Sequence, residues 1–186
     1  MSRHVALLRG INVGGRKKIA MADLRALVAG LGHSDVATYI NSGNVVFANG
    51  TPEAGRDELE AAIEAAVLAE LGLEVAVLVR THEELTAAVD ANPFPDAVPS
   101  RLLLSFLRTA PDPDEYGPVV ERVESGADEF RVDGTTVYLH CPDGLGRSKL
   151  AAALSRPAVG VGTSRNLATV RTLVRLSQDP GNRRPD

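Results

Sequence analysis

The stretch Gly10-Ile11-Asn12-Val13-Gly14-Gly15-Arg16-Lys17 comes one step from the phosphate-binding pattern GxxxxGK[ST]. Arg16 stands where the pattern needs lysine, and Lys17 where it needs the hydroxyl that would reach Mg²⁺. The dinucleotide pattern GxGxxG fails as well, because Asn12 replaces its second glycine. What remains is physical. Gly10, Gly14 and Gly15 let backbone N–H groups approach an anion, and Arg9, Arg16, Lys17 and Lys18 surround them. The competing reading is a mobile loop whose glycines serve turns and whose cations stay solvated.

Three further stretches hold residues that could act on a ligand. Asn41-Ser42-Gly43-Asn44 reads as a tight hairpin tip and also as a cluster of amides and a hydroxyl at one end of a sheet. Strand directions taken from the sequence order put that tip at the end opposite the glycine-rich loop, so the two clusters are not expected to meet. In "GLGRSKL", Arg147, Ser148 and Lys149 are expected in the first turn of a helix. In "GTSRNLATV", Thr163 or Ser164 is expected to cap the last helix, with Arg165 and Asn166 in its first turn. Cations at helix starts oppose the helix dipole unless an anion is present, so both places point to an anion site, and their convergence would make a pocket. Arg171 and Arg175, spaced i,i+4 on that helix, read as a solvated face.

Other chemistries find no support. His140 and Cys141 are adjacent on a strand, so their side chains face opposite ways and form no local dyad. Cys141 reads as a small buried side chain. His4, His33 and His82 lack metal-ligand spacing, and no metal or cofactor is expected. There is no GxSxG elbow and no evident pair of catalytic carboxylates.

The elements that must position these residues follow from periodicity. Residues 5–8 form an apolar strand, and Met21, Leu24, Val28 and Leu31 recur at helical spacing before Gly32. "VATYIN" and "NVVFA" flank a hairpin turn. Residues 51–72 form an amphipathic helix with Leu59, Ile63, Val67 and Leu71 on one stripe, and "EVAVLVR" is a strand. A short helix over 81–90 starts with Thr81 and Glu84 at capping-box spacing. After the proline-rich "NPFPDAVPS" the order repeats. "RLLLSFLR" is a strand and 112–125 a helix with Tyr116, Val120 and Val123 inward. A hairpin through Asp133-Gly134 follows, then the helix "GRSKLAAALSR", the strand "PAVGVG", and an extra helix burying Leu167, Val170 and Val174.

The expected fold class is therefore α+β, two ferredoxin-like (βαββαβ) halves in tandem plus a C-terminal helix. The expected divisions are 1–92, 93–178 and a disordered tail over 179–186.

Composition sets limits on function. The chain has 186 residues, 44% hydrophobic, with no signal-peptide h-region and no stretch that approaches a membrane span, so no membrane partner is expected. A single cysteine excludes an internal disulfide and fits a reducing, cytoplasmic setting. Arginine outnumbers lysine 17 to 3, a hint of a high-GC bacterial source. The net charge of −4 hides +4 over residues 1–50, −14 over 51–143 and +6 over an acid-free 144–178.

"LRGINVGG", "M-A-DLRALV", "YINSGNVVF", "GRSKL" and "T-S-R-N" together resemble the bacterial family labelled domain of unknown function 1697, over residues 5 to about 176. The resemblance implies a compact α+β protein of two related halves and no assigned activity. It also implies that the signature lies in these polar loops. The family often carries an aromatic residue after the Arg-Asn pair, where this chain has Leu167.

The expected function is binding of a small anionic ligand, a nucleotide or phosphorylated metabolite, through Arg9, Gly10, Asn12, Gly14, Gly15, Arg16, Lys17, Asn41, Ser42, Asn44, Arg147, Lys149, Arg165 and Asn166. Nucleic acid is a weaker candidate, since an aromatic fraction of 4% leaves few stacking platforms. Two alternatives stay open. One is a phosphoryl or acyl transferase or hydrolase using the same cations. The other is an interaction module, as monomer or homodimer, whose loops pair with the acidic segment and leave no open pocket.

Overall fold

A computed structural model of the chain describes residues 2–15, 17–112, 123, 126–154 and 161–178. Most of the expected helix over 112–125, most of the expected strand "PAVGVG" and the expected tail over 179–186 lie outside the described residues. The chain divides into two compact units, one drawn from Met1–Ala87 and Arg171–Asp186, the other from Ala88–Val170.

The first unit contains β1 (Arg3–Leu8), α1 (Met21–Gly30), β2 (Ser34–Tyr39), β3 (Asn44–Ala48), α2 (Arg56–Leu71), β4 (Val77–Thr81) and the start of α3 (His82–Asp90). Its sheet is antiparallel in the order β2-β3-β1-β4. β1 is buried along its whole length, as its unbroken apolar run from Val5 demands. Ala6, Leu8, Val45, Phe47, Val77 and Val79 meet Leu24, Leu27 and Val28 of α1 and Leu59, Ile63 and Val67 of α2 in one core. The helical stripes read from the sequence are thus the packed faces, although Met21 and Leu71 are only half-buried. Gly72 ends α2 in the left-handed region at φ 66°. The capping box of α3 forms as expected. Thr81 Oγ1 accepts the Glu84 N–H at 3.1 Å, and Glu84 Oε2 accepts the Thr81 N–H at 2.9 Å.

β4 is an edge strand, and its outward N–H groups are all engaged by carboxylates. Val77 donates to Glu64 Oε1 at 2.9 Å, Val79 to Glu60 Oε1 at 2.9 Å, and Thr81 to Glu84. Glu60 and Glu64 are one helical turn apart on α2, which places both against the strand. Glu60 also lies 3.9 Å from the Arg80 guanidinium, with both side chains almost wholly buried. Burial lowers the Arg80 pKa, Arg56 adds to that shift, and Glu84 and Glu60 oppose it.

The second unit holds β5 (Leu102–Leu107), β6 (Glu129–Asp133), β7 (Thr136–His140), α4 (Lys149–Leu154) and β8 (Gly162–Asn166), and α5 (Leu167–Ser177) begins in it. Its sheet is antiparallel in the order β6-β7-β5-β8. Gly134 opens the β6–β7 turn at φ 52°, where the Asp-Gly pair led one to expect it. Leu139 and Cys141 pack with Leu150 of α4 on one face of this sheet. On α5, Leu167, Val170 and Leu173 are buried, whereas Val174, expected in the core, is half-buried.

Two expected elements move. The last strand is β8, built from Gly-Thr-Ser-Arg-Asn, not the apolar run before it. α4 starts at Lys149, and a short 3-10 turn over Leu145–Arg147 precedes it.

Candidate functional site

The β1–α1 loop is not a loose tether. Asn12 adopts φ 55°, and its carboxamide closes residues 12–19 into a ring. Oδ1 accepts the Ile19 N–H at 3.0 Å, Nδ2 donates to the Ile19 carbonyl at 3.0 Å, and the Asn12 N–H reaches the Lys17 carbonyl at 3.1 Å. Ile11 and Ile19 anchor the base in the core, and Val13, Gly14, Gly15, Lys17 and Lys18 form the exposed tip. Gly10, Gly14 and Gly15 have φ of 66°, 59° and 77°, which explains the glycines by backbone geometry. Lys17 donates to the Glu74 carbonyl, and the Arg9 N–H to that of Ala76. Arg16 lies outside the described residues.

The expectation that this loop and the β2–β3 hairpin stand at opposite ends of the sheet is overturned. Asn12 Nδ2 also donates to the Asn41 carbonyl at 2.8 Å, and the Leu8 N–H meets the Gly43 carbonyl at 2.8 Å. The error lay in the direction of β2. α1 carries the chain back, so β2 runs parallel to β1 with β3 antiparallel between them, and the hairpin tip arrives beside the loop. Asn44 is fully buried and braces the tip by donating to the Tyr39 carbonyl and Ser42 Oγ, each at 3.0 Å. Replacing Asn12 with alanine removes three side-chain bonds and puts a Cβ-only residue in the left-handed region. A loss of about 1.5–4.5 kcal/mol is expected in urea denaturation, at roughly 0.5–1.5 kcal/mol per bond.

In the second unit the polar residues sort differently from the sequence expectation. Ser148 is the N-cap of α4, its Oγ accepting the Ala151 N–H at 2.8 Å, so Arg147 lies ahead of the helix and not in its first turn. Arg165 and Asn166 sit on β8, not inside a helix, and Asn166 Oδ1, not Thr163 or Ser164, caps α5 by accepting the Thr169 N–H at 2.8 Å. The Arg165 side chain is only 8% exposed and donates to Thr163 Oγ1 at 2.8 Å and the Ser164 carbonyl at 2.9 Å. Burial pushes its pKa down to about 10.

Arg165 pairs with Leu104 and Leu104 with Tyr138, so these three side chains share one sheet face. Leu139 and Cys141 point to the other face, toward α4. Arg165 therefore does not join Arg147 and Lys149, and the two basic stretches, whose convergence would have made a pocket, point to opposite faces of the sheet.

Arg147 and Lys149 instead line a cavity of about 480 Å³ together with Arg101, Ser148, Asp128 and Asp143. Arg101 is brought in because it ends the 3-10 turn before β5, and its carbonyl accepts the Cys141 N–H at 2.9 Å. Its guanidinium donates to the Pro142 carbonyl at the cavity wall. Gly144, at φ 100°, turns the chain from β7 toward α4. Cys141 is fully buried, as expected. Burial raises its pKa, Ser148 opposes that shift, and Asp128 adds to it. Sequence reasoning missed Arg101, Asp128 and Asp143. The Pro142-Asp143-Gly144 turn was the available signal for the last of them.

Among the described residues, no group of three or more His, Cys, Asp or Glu could hold a metal ion, and no helix is long and apolar enough to cross a membrane.

The chain is thus a mixed α+β protein with two four-stranded antiparallel sheets and polar loops at strand ends. Residues 1–138 match the family described as protein of unknown function (DUF1697), and the chain belongs to that family. The match ends before "GRSKL" and "TSRN". A conserved bacterial protein from Streptococcus pneumoniae has a similar solved structure, with a TM-score of 0.76 at 24% identity, covering 95% of this chain and 99% of that one. At that identity the likeness is one of fold. No curated protein matches the chain.

Proposed function

We propose that the protein binds a small anionic ligand, a nucleotide or phosphorylated metabolite, in the cavity lined by Arg101, Arg147 and Lys149. The observation that carries this reading is the cavity itself, about 480 Å³ with three cations on its walls. That volume is in the range of small-molecule sites. Arg147 and Lys149 are exposed, and guanidinium and ammonium groups there can each form charge-assisted bonds to phosphate oxygens. An open cavity favours ligand binding over a module whose loops lock onto acidic partners. Asp128 and Asp143 on the same walls would favour a ligand that also carries hydrogen-bond donors.

Around this site, we read the two sheets as two ferredoxin-like halves in tandem, divided near "NPFPDAVPS", of a bacterial cytoplasmic protein. The tip of the Asn12 ring, with Gly14, Gly15 and Lys17, and the neighbouring Asn41 and Ser42 form a separate polar surface of the first unit, braced by the buried Asn44. Arg165 and Asn166 position β8 and α5.

Calorimetric titration of pyrophosphate and AMP tests the reading. The wild type is expected to bind, and Arg147→Ala/Lys149→Ala to bind about tenfold or more weakly at an unchanged melting temperature. Equal affinity in both proteins, or binding in neither, would overturn it.

A further inference from the structure

A second cavity, of about 450 Å³, lies in the first unit between the C-terminal end of α1 and the first half of α2. Leu31, Leu59 and Ala62 form apolar walls, and His33, Glu53 and Glu58 supply its polar groups along with Thr51. Its charged lining residues are both glutamates. Glu58 Oε2 accepts the Gly55 N–H at 2.8 Å, leaving its other oxygen for a ligand. Glu53 is exposed.

His33 makes this more than an acidic surface. Its residue is only 6% exposed, and its ring packs on Phe47 with centroids 4.6 Å apart. Nδ1 accepts the Gly50 N–H at 3.2 Å, which fixes the neutral ring with its proton on Nε2. Burial, with the charge of His4 behind Phe47, lowers the His33 pKa and favours that neutral form. Nε2–H has no hydrogen-bond partner among the described residues, yet it is not among the buried polar atoms sealed from solvent. A nine-tenths buried ring on a cavity wall thus keeps one donor unused.

We propose that this cavity is a binding site for a small aliphatic cation that carries an oxygen acceptor, such as a short-chain amino alcohol. The ammonium group meets Glu53 and Glu58, the hydrocarbon body lies on Leu31, Leu59 and Ala62, and the oxygen accepts from His33 Nε2–H. Each part of the ligand answers one feature of the lining. An anionic ligand is disfavoured by the two carboxylates, so the site is separate in chemistry from the basic cavity of the second unit.

The test is an NMR titration that follows the Gly50 amide and the His33 ring signals. The probes are 4-amino-1-butanol, n-butylamine, 1-butanol and 4-hydroxybutyrate. Saturable shifts with the amino alcohol are expected, at least tenfold weaker with n-butylamine or 1-butanol, and absent with the hydroxy acid. Glu53→Gln/Glu58→Gln keeps an acceptor for Gly55 N–H and is expected to reduce amino-alcohol affinity at least tenfold. Glu53→Gln alone, which touches no capping bond, is expected to reduce it several-fold. Absence of saturable shifts with the amino alcohol would overturn the proposal. So would equal binding of the hydroxy acid, or unchanged affinity in both glutamine variants.

Discussion

Glu60→Leu is expected to lower the stability of the protein by about 3–5 kcal/mol, the usual cost of removing one partner from a buried ion pair. The Arg80 guanidinium, 3% exposed, keeps its charge but loses the carboxylate 3.9 Å away. The Val79 N–H loses its acceptor at the same time. The two losses act together, because one carboxylate serves both the side chain and the strand edge. Glu60→Gln keeps an acceptor for Val79 and removes only the charge, so it is expected to cost less. Glu60→Leu/Arg80→Met removes both charges, and recovery of much of the loss is expected, since a hydrophobic pair of similar volume is often as stable. Urea denaturation of the four proteins measures all of this. A Glu60→Leu variant within about 1 kcal/mol of wild type would contradict the role given to the pair.

Gly43→Ala is the second large effect. The hairpin tip approaches the β1–α1 loop so closely that a Cβ at Gly43 would lie 2.7 Å from Ile11 Cδ1 and 2.8 Å from Leu8 Cβ. The position also has φ 74°, which costs an L-residue roughly 1–2 kcal/mol before any clash. Overpacking adds roughly 1–3 kcal/mol, so a total of about 2–5 kcal/mol is expected in thermal or urea unfolding. Gly14→Ala is the control. It too has a positive φ, 59°, but a Cβ there meets nothing within 4 Å. The difference between the two variants isolates the contact between loop and hairpin. Similar losses in both would show that backbone conformation alone sets the cost.

These two sites also show what a sequence makes legible. The Thr81–Glu84 capping box and the Asp133-Gly134 hairpin were readable because each is a local agreement between side chain and backbone. The stripes of α1 and α2 were readable from their period. β8 was not, because Gly-Thr-Ser-Arg-Asn has no apolar alternation. Its partner β5 supplies the hydrophobic residues, and Ser164 meets Ser105 through hydroxyls 2.6 Å apart. Of the candidate site, residue types were legible and groupings were not. Arg147 and Lys149 were found from charge and glycine spacing, but Arg101 joins them only because β5 and β7 are paired. Arg165 looked like their companion in sequence, and strand alternation sends it to the other side of the sheet.

The carboxylates along β4 bear on how copies of this chain could associate. A sheet grows without limit only if it offers a docking edge on both sides. In the first unit one of those sides is already taken by Glu64, Glu60 and Glu84, which hold the N–H groups that an incoming strand would need. β2, with its register shift and Asp35 at φ 49°, is the other edge. Strand addition at this sheet is therefore one-sided, and joining two copies through β2 ends as a pair, with no free edge of that sheet from which a fibre could lengthen.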